Sequence, residues 1–162
     1  MHTNVNVQAQ KVNSPLSFMF GTWEGQGIIS SPDGKKVTDI TEHVYCKLDC
    51  SIIVVEGLGT RTDSITGEKT IVHDAFGIFT HNKENDQWWM RAYRNGDVID
   101  VAVKLTEGNK ISWEMPLEKN AGVIRFSTDF SEPLKWKGVG EFSKDGKNWV
   151  VFMETNLTKV KE

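Results

Sequence analysis

Turn-forming residues recur every 8 to 14 residues along this chain, and the segments between them are rich in Val, Ile, Thr, Phe and Trp. Asn95-Gly96 and Asp145-Gly146 are typical of tight hairpins, because such pairs readily adopt positive φ angles. Short strands joined by hairpins favour an up-and-down meander, and closing the meander removes its exposed edges. The sequence therefore predicts an all-β fold, a single closed antiparallel barrel of about ten strands at residues 23–30, 36–47, 51–61, 70–80, 87–94, 98–105, 110–115, 122–130, 135–143 and 148–159.

The length of 162 residues suits one domain with a single sizeable core. We expect residues 14–162 to form the barrel and residues 1–13 to be a disordered or extended N-terminal tail. A short helical turn is predicted at residues 14–20, because Ser14 can cap it and Pro15 suits the first helical position.

The net charge is −3, and the basic residues are scattered along the chain. Nucleic-acid binding favours a basic stripe, and no segment reaches the roughly 20 apolar residues that a membrane-spanning helix needs. We therefore expect neither a nucleic-acid partner nor membrane insertion. Residues 1–10 are polar and lack the apolar stretch of a secretory signal, which predicts a cytoplasmic protein; an exported protein whose leader has been removed would start the same way.

Cys46 and Cys50 are the two cysteines, too few for a disulfide framework or a metal site. A three-residue hairpin loop at residues 47–49 would place them opposite each other and allow a bridge. A two-residue loop would place them on opposite faces. We favour free thiols, which agree with a reducing compartment.

A Gly-x-Trp motif lies at the start of the first predicted strand, within residues 20–27 (FGTWEGQG). This resembles the opening of the calycins: lipocalins, fatty-acid-binding proteins and their relatives. The similarity extends over residues 16–160 and narrows to the bacterial lipocalin-like family catalogued as domain of unknown function 1579. The segments that carry this resemblance are residues 45–49 (YCKLD), 55–59 (VEGLG), 73–77 (HDAFG), 90–93 (MRAY) and 140–149 (GEFSKDGKNW).

The resemblance implies a lipocalin-like barrel around a central cavity, in a family whose function is not established. It also implies that Lys159 lies over Trp23 as a cation–π pair. Haem-binding nitrobindins are related barrels whose iron-ligating histidine comes late in the chain, whereas the four histidines here all precede the second half. We therefore expect no haem or other cofactor. We also expect no metal, because no His-x-His or Glu-x-x-His spacing offers converging ligands.

Ionisable residues that share strand parity with apolar residues are candidates for the cavity, because successive side chains in a barrel strand alternate between inside and outside. The residues predicted on this basis to line a ligand cavity are Glu42, Glu56, His73, Trp89, Arg91, Tyr93, Trp113 and Arg125. For Arg125 the mixed pattern of its strand leaves either face open. The set is nearly charge-balanced, so it could hold a ligand or plug the barrel as a salt-bridge network.

Two pairs in this set could carry chemistry. Arg91 and Tyr93 share a strand face at a spacing suited to gripping a carboxylate; alternatively, Arg91 faces outward and pairs with a neighbouring strand. His73 could act as a general base oriented by Glu56, or could be an ordinary hydrogen-bonded histidine. No motif for nucleophilic catalysis is present, so no residue is assigned as catalytic.

Trp88 and Trp89 are sequence neighbours, so one ring points inward and the other outward. The outward ring packs under the N-terminal turn or contributes to a homodimer contact.

Three functions remain open. The favoured one is a carrier or sensor of a small hydrophobic or amphipathic molecule, such as a fatty acid or another apolar carboxylate. The second is an enzyme that uses Glu56 and His73 as an acid–base pair. The third is a plugged barrel that serves as a homodimeric assembly module. Fold alone does not discriminate among them.

Overall fold

A computed structural model describes residues 14–162 and forms one closed barrel of ten antiparallel strands. Each strand pairs with the next one along the chain, and the first also pairs with the last. The strands are β1 (Gly21–Ser31), β2 (Gly34–Lys47), β3 (Ile52–Thr62), β4 (Lys69–Asn82), β5 (Gln87–Arg94), β6 (Asp97–Thr106), β7 (Lys110–Pro116), β8 (Val123–Asp129), β9 (Lys135–Ser143) and β10 (Val150–Lys161). The predicted fold is confirmed, and every predicted strand bound lies within two residues of the observed one. The predicted tail at residues 1–13 lies outside the described residues.

Hairpin chemistry explains why the strands end where the sequence suggests. Asn95 and Gly96, between β5 and β6, have φ angles of 49° and 84°. Two successive positive φ angles twist the connection in the same sense as the strands that flank it. The next pair along the ladder is therefore Arg94 opposite Asp97.

The segment before β1 closes one end of the barrel. A 3-10 helix (Ser17–Met19) follows Ser14, whose hydroxyl accepts a hydrogen bond from the Leu16 amide at 3.3 Å, so the predicted helical turn is present. Leu16, which precedes this helix, and Met19, its last residue, are fully buried. No helix within residues 14–162 is long and apolar enough to span a membrane.

Trp23 anchors this closed end. Its indole N–H donates a hydrogen bond to the Met19 carbonyl oxygen at 2.8 Å, and Phe130 and Trp136 pack edge-on against its ring at 5.4 and 5.8 Å. The ammonium of Lys159 lies 5.0 Å from the ring centre, as the calycin resemblance implies. The first and last strands are thus joined by side chains as well as by the backbone ladder.

The hairpin between β2 and β3 carries a disulfide. Cys46 and Cys50 are bridged, with their Cα atoms 4.8 Å apart, so the expectation of free thiols is wrong. Leu48, Asp49 and Cys50 all have positive φ angles. This left-handed turn brings Cys50 back towards the end of β2, which a two-residue loop would not do.

Candidate functional site

The barrel encloses a cavity of about 240 Å³, just below the size range of sites for drug-sized ligands. One part of its wall consists of the small residues Gly57, Ala75, Gly77 and Ala92. Aromatic and long aliphatic side chains form most of the remainder, and polar side chains enter at four positions. The polar lining residues are Glu42, His73, Arg94 and Thr128.

Strand register places two of the polar residues, Glu42 and Arg94, in one row with small residues. Trp23, Glu42, Gly57, Ala75 and Arg94 are successive partners across β1 to β5, so they form one inward-facing row. The row begins at the tryptophan of the closed end and finishes at Arg94, next to the Asn95-Gly96 hairpin at the other end. The Glu42 carboxyl and the Arg94 guanidinium are therefore separated by two small residues, Gly57 and Ala75.

The carboxyl of Glu42 lies directly over Gly57. A Cβ atom at Gly57 would come within 2.8 and 2.9 Å of the two carboxylate oxygens, so a glycine is needed for this placement. Burial raises the pKa of Glu42 from 4.5 to about 8, and no positive charge or hydrogen-bond donor among the described residues offsets that effect. Glu42 is consequently mostly protonated at neutral pH.

His73 and Arg94 enter the cavity near its other end. His73 lies early in β4 and Arg94 is the last residue of β5. Burial lowers the pKa of His73, and the positive charge of Arg94 lowers it further, while Asp74 acts in the opposite direction. The imidazole is therefore neutral near pH 7.

Thr128 presents a second polar group that the protein does not satisfy. The residue is 7% exposed and lines the cavity, and its hydroxyl has no hydrogen-bond partner among the described residues. Buried hydroxyls are usually paired, because leaving one unpaired costs free energy. Glu42 and Thr128 together leave two hydrogen-bonding groups open towards one apolar cavity.

Thr128→Val is expected to raise the free energy of unfolding by about 1 kcal/mol, because valine has nearly the same shape and no hydroxyl to desolvate. Urea denaturation followed by tryptophan fluorescence measures the change. A loss of stability of similar size would show that the hydroxyl is satisfied in the folded protein.

Three of the eight predicted cavity residues line the cavity: Glu42, His73 and Trp113. For the other five the predicted inward orientation is wrong. They are Glu56, Trp89, Arg91, Tyr93 and Arg125, and all five lie on the outer face of the barrel.

Glu56 is exposed and accepts a hydrogen bond from the Tyr45 hydroxyl at 3.2 Å. The inward residues of β3 are instead Ile53, Val55 and Gly57. This strand carries apolar residues at both parities, so alternation by itself does not identify its inner face.

In β5 the inward residues are Met90, Ala92 and Arg94, one position away from those predicted. Arg91 is exposed and forms a bidentate ion pair with Asp100 of β6, with N–O distances of 2.7 and 2.8 Å. This is the alternative arrangement that the sequence left open. Trp89 and Tyr93 are 42% and 41% exposed.

Trp88 packs against the core, so the tryptophan pair is divided between the two faces as predicted. Arg125 pairs with Glu141 at 2.9 Å, and its guanidinium lies 3.9 Å from the ring centre of Trp149. These contacts hold Arg125 against the outer surface.

Sequence reasoning missed Arg94 and Thr128. Arg94 shares its parity with Ala92 and Met90, so treating small residues as inward-facing would have found it. Thr128 shares its parity with Ile124, Phe126 and Phe130, so the alternation of this strand would have found it. Within residues 14–162, no three His, Cys, Asp or Glu side chains converge as metal ligands would.

No family model matches this chain, and no curated protein matches it. The chain is similar in structure to Rv2717c from M. tuberculosis, known from a crystal structure, with a TM-score of 0.59 and 11% sequence identity. The match covers 90% of this chain and 98% of that protein. At this level of identity the likeness shows a shared barrel fold.

Proposed function

We propose that this protein is a carrier or sensor that binds a small hydrophobic or amphipathic molecule inside its barrel. The observation that carries the proposal is the cavity of about 240 Å³, whose apolar wall is interrupted by a few polar groups. Small-molecule sites have this composition, because apolar surface supplies affinity and a few polar groups fix orientation. We also propose membership of the bacterial lipocalin-like family, on the motifs that resemble it.

The Arg91 and Tyr93 pair, which the sequence predicts as the anchor for a ligand carboxylate, does not face the cavity. Arg91 and Tyr93 lie on the outer face, and Arg91 is already paired with Asp100. Arg94 does line the cavity, so a positive charge is present there, at the end of the inward-facing row away from Trp23.

The two alternative functions have less support. Glu56 faces outward and His73 faces the cavity, so they do not form an acid–base pair around one substrate. A cavity of about 240 Å³ is larger than a barrel plugged by its own side chains would leave. A homodimer formed through the outward Trp89 would leave the cavity unchanged and is therefore compatible with ligand binding.

Native mass spectrometry of the protein purified from its own host, followed by denaturing extraction, tests the proposal directly. A bound small molecule in stoichiometric amount is expected. An empty protein that also binds neither apolar bicyclic compounds nor decanoate in solution would contradict it.

Filling the cavity is expected to block binding. Ala92→Phe adds a ring inside the cavity, and we expect it to weaken binding of benzothiophene at least about tenfold, because ligand and side chain would compete for the same space. Isothermal titration calorimetry measures the affinity. Ala102→Phe, on the outer face, is the matched control, and Arg91→Ala is likewise expected to bind as the wild type does. Unchanged affinity in Ala92→Phe would place the ligand elsewhere.

A further inference from the structure

We propose that the ligand is a planar aromatic molecule with an N–H or O–H group that donates a hydrogen bond to the carboxyl of Glu42. This inference rests on the proposed function, that the cavity binds a small molecule, and adds the chemical class of that molecule.

The planar shape follows from the aromatic and the small residues that line the cavity. In a closed ring of ten strands, β7 is five steps from β2 and β8 is five steps from β3, so these strands lie opposite each other. Trp113 of β7 and Phe126 of β8 stack with their ring centres 5.6 Å apart and their planes at 27°. They therefore form an aromatic wall on the side of the barrel that faces Glu42 and Gly57.

A second part of the cavity wall, the small-residue wall, belongs to strands β3, β4 and β5. Gly57, Ala75, Gly77 and Ala92 occupy inward positions on three adjacent strands. A Cβ atom at Gly77 would have Val55 as its nearest neighbour, at 3.8 Å, so the space above this glycine is open. The open space beside the aromatic rings and the small residues is a slot that accepts a flat ring, which can stack on Trp113 or Phe126.

The hydrogen-bond donor follows from the groups that the slot leaves unpaired. The Glu42 carboxyl lies on the small-residue wall over Gly57, and none of the described residues donates a hydrogen bond to it. Thr128 of β8 lines the same cavity, is more than nine-tenths buried, and its hydroxyl has no partner among those residues. Native proteins seldom leave two such groups unsatisfied in one cavity. A carboxyl accepts hydrogen bonds through its carbonyl oxygen even when it is protonated, so a ligand N–H or O–H supplies the donor that Glu42 lacks.

The test compares indole with benzothiophene, which has nearly the same shape and no N–H. Calorimetric titrations are done at pH 9, where Glu42 is largely ionised. We expect indole to bind at least about tenfold more tightly, as a hydrogen bond to a charged acceptor provides. In Glu42→Leu this preference should disappear, and in Glu42→Gln it should become smaller. Glu56→Gln, which removes a carboxylate from the outer face, should keep the full preference.

Equal affinities for indole and benzothiophene in the wild type would overturn this inference and leave the proposed function standing. Full preference for indole in Glu42→Gln would also overturn it, whether or not Glu42→Leu folds. Tighter binding of decanoate than of either ring would exclude a planar ligand. If neither ring nor decanoate binds, the proposed function fails as well. Trp113→Leu is expected to weaken the binding of indole and of benzothiophene to a similar extent. An unchanged affinity for both compounds would show that they do not stack on the aromatic wall.

Discussion

Gly25→Ala is expected to lower the free energy of unfolding by at least about 3 kcal/mol, or to prevent folding. A Cβ atom at Gly25 would lie 2.1 Å from the Asn156 carbonyl oxygen and 2.9 Å from the Leu157 Cα atom. Both atoms belong to the backbone of β10, which has no rotamer to change. The clash would therefore separate β1 from β10, the pair that closes the barrel. Urea denaturation followed by far-UV circular dichroism measures the loss.

Gly77→Ala is the matched control for this experiment. It introduces the same methyl group on an inward-facing strand position, but the nearest atom is a Val55 carbon at 3.8 Å, an ordinary contact distance. We expect a change within about 0.5 kcal/mol, or a slight gain from the reduced freedom of the unfolded chain. Similar losses in both variants would show that general strand propensity, and not closure of the barrel, limits stability.

Glu42→Gln is expected to stabilise the protein increasingly as the pH rises from about 4.5 to about 8. Below this window Glu42 is protonated in both the folded and the unfolded state. Within it the unfolded chain loses the proton while the folded protein keeps it, because burial raises the pKa of the folded state from 4.5 to about 8. The unfolded state then binds fewer protons, so the stability of the wild type falls with pH until the folded pKa is passed.

The difference in the free energy of unfolding between Glu42→Gln and the wild type should grow from near zero at pH 4 to as much as about 5 kcal/mol at pH 9, since each pKa unit corresponds to about 1.4 kcal/mol. Chemical denaturation at several pH values measures it. The lowered pKa of His73 reduces stability only as the pH falls below its usual 6.5, and it affects both proteins equally. Glu56→Gln, which changes a carboxylate on the outer surface, is the matched control. If the free energies of unfolding of Glu42→Gln and of the wild type changed with pH in parallel, Glu42 would be solvated in the folded protein.

Glu42→Gln at high pH and Thr128→Val share an expected signature. Each should raise stability, because each removes a polar group that the protein itself leaves unpaired. If these groups serve a ligand, the same variants should bind that ligand less well. Stability rising while affinity falls is typical of residues kept for function.

Within the cavity, sequence patterning succeeded where small residues were taken to mark the inner face of a strand. In β4, Ala75 and Gly77 share their parity with His73, and all three line the cavity. In β3 and β5, large apolar residues occur at both parities, as in Ile52-Ile53 and Trp88-Trp89. A shift of one residue moves every side chain to the other face, so Glu56, Trp89, Arg91 and Tyr93 were placed together on the wrong side.

The number, bounds and closure of the strands could be predicted from the sequence by itself, because turn chemistry and β propensity act over a few neighbouring residues. The helical turn before Trp23 belongs to the same class of local signal. Orientation and chemical state depend instead on partners that are distant in the chain. Gly57 makes room for the Glu42 carboxyl, Asp100 holds Arg91 outside, and a left-handed turn returns Cys50 to Cys46. The tertiary structure decided these features, since burial and pairing arise only when separate strands meet.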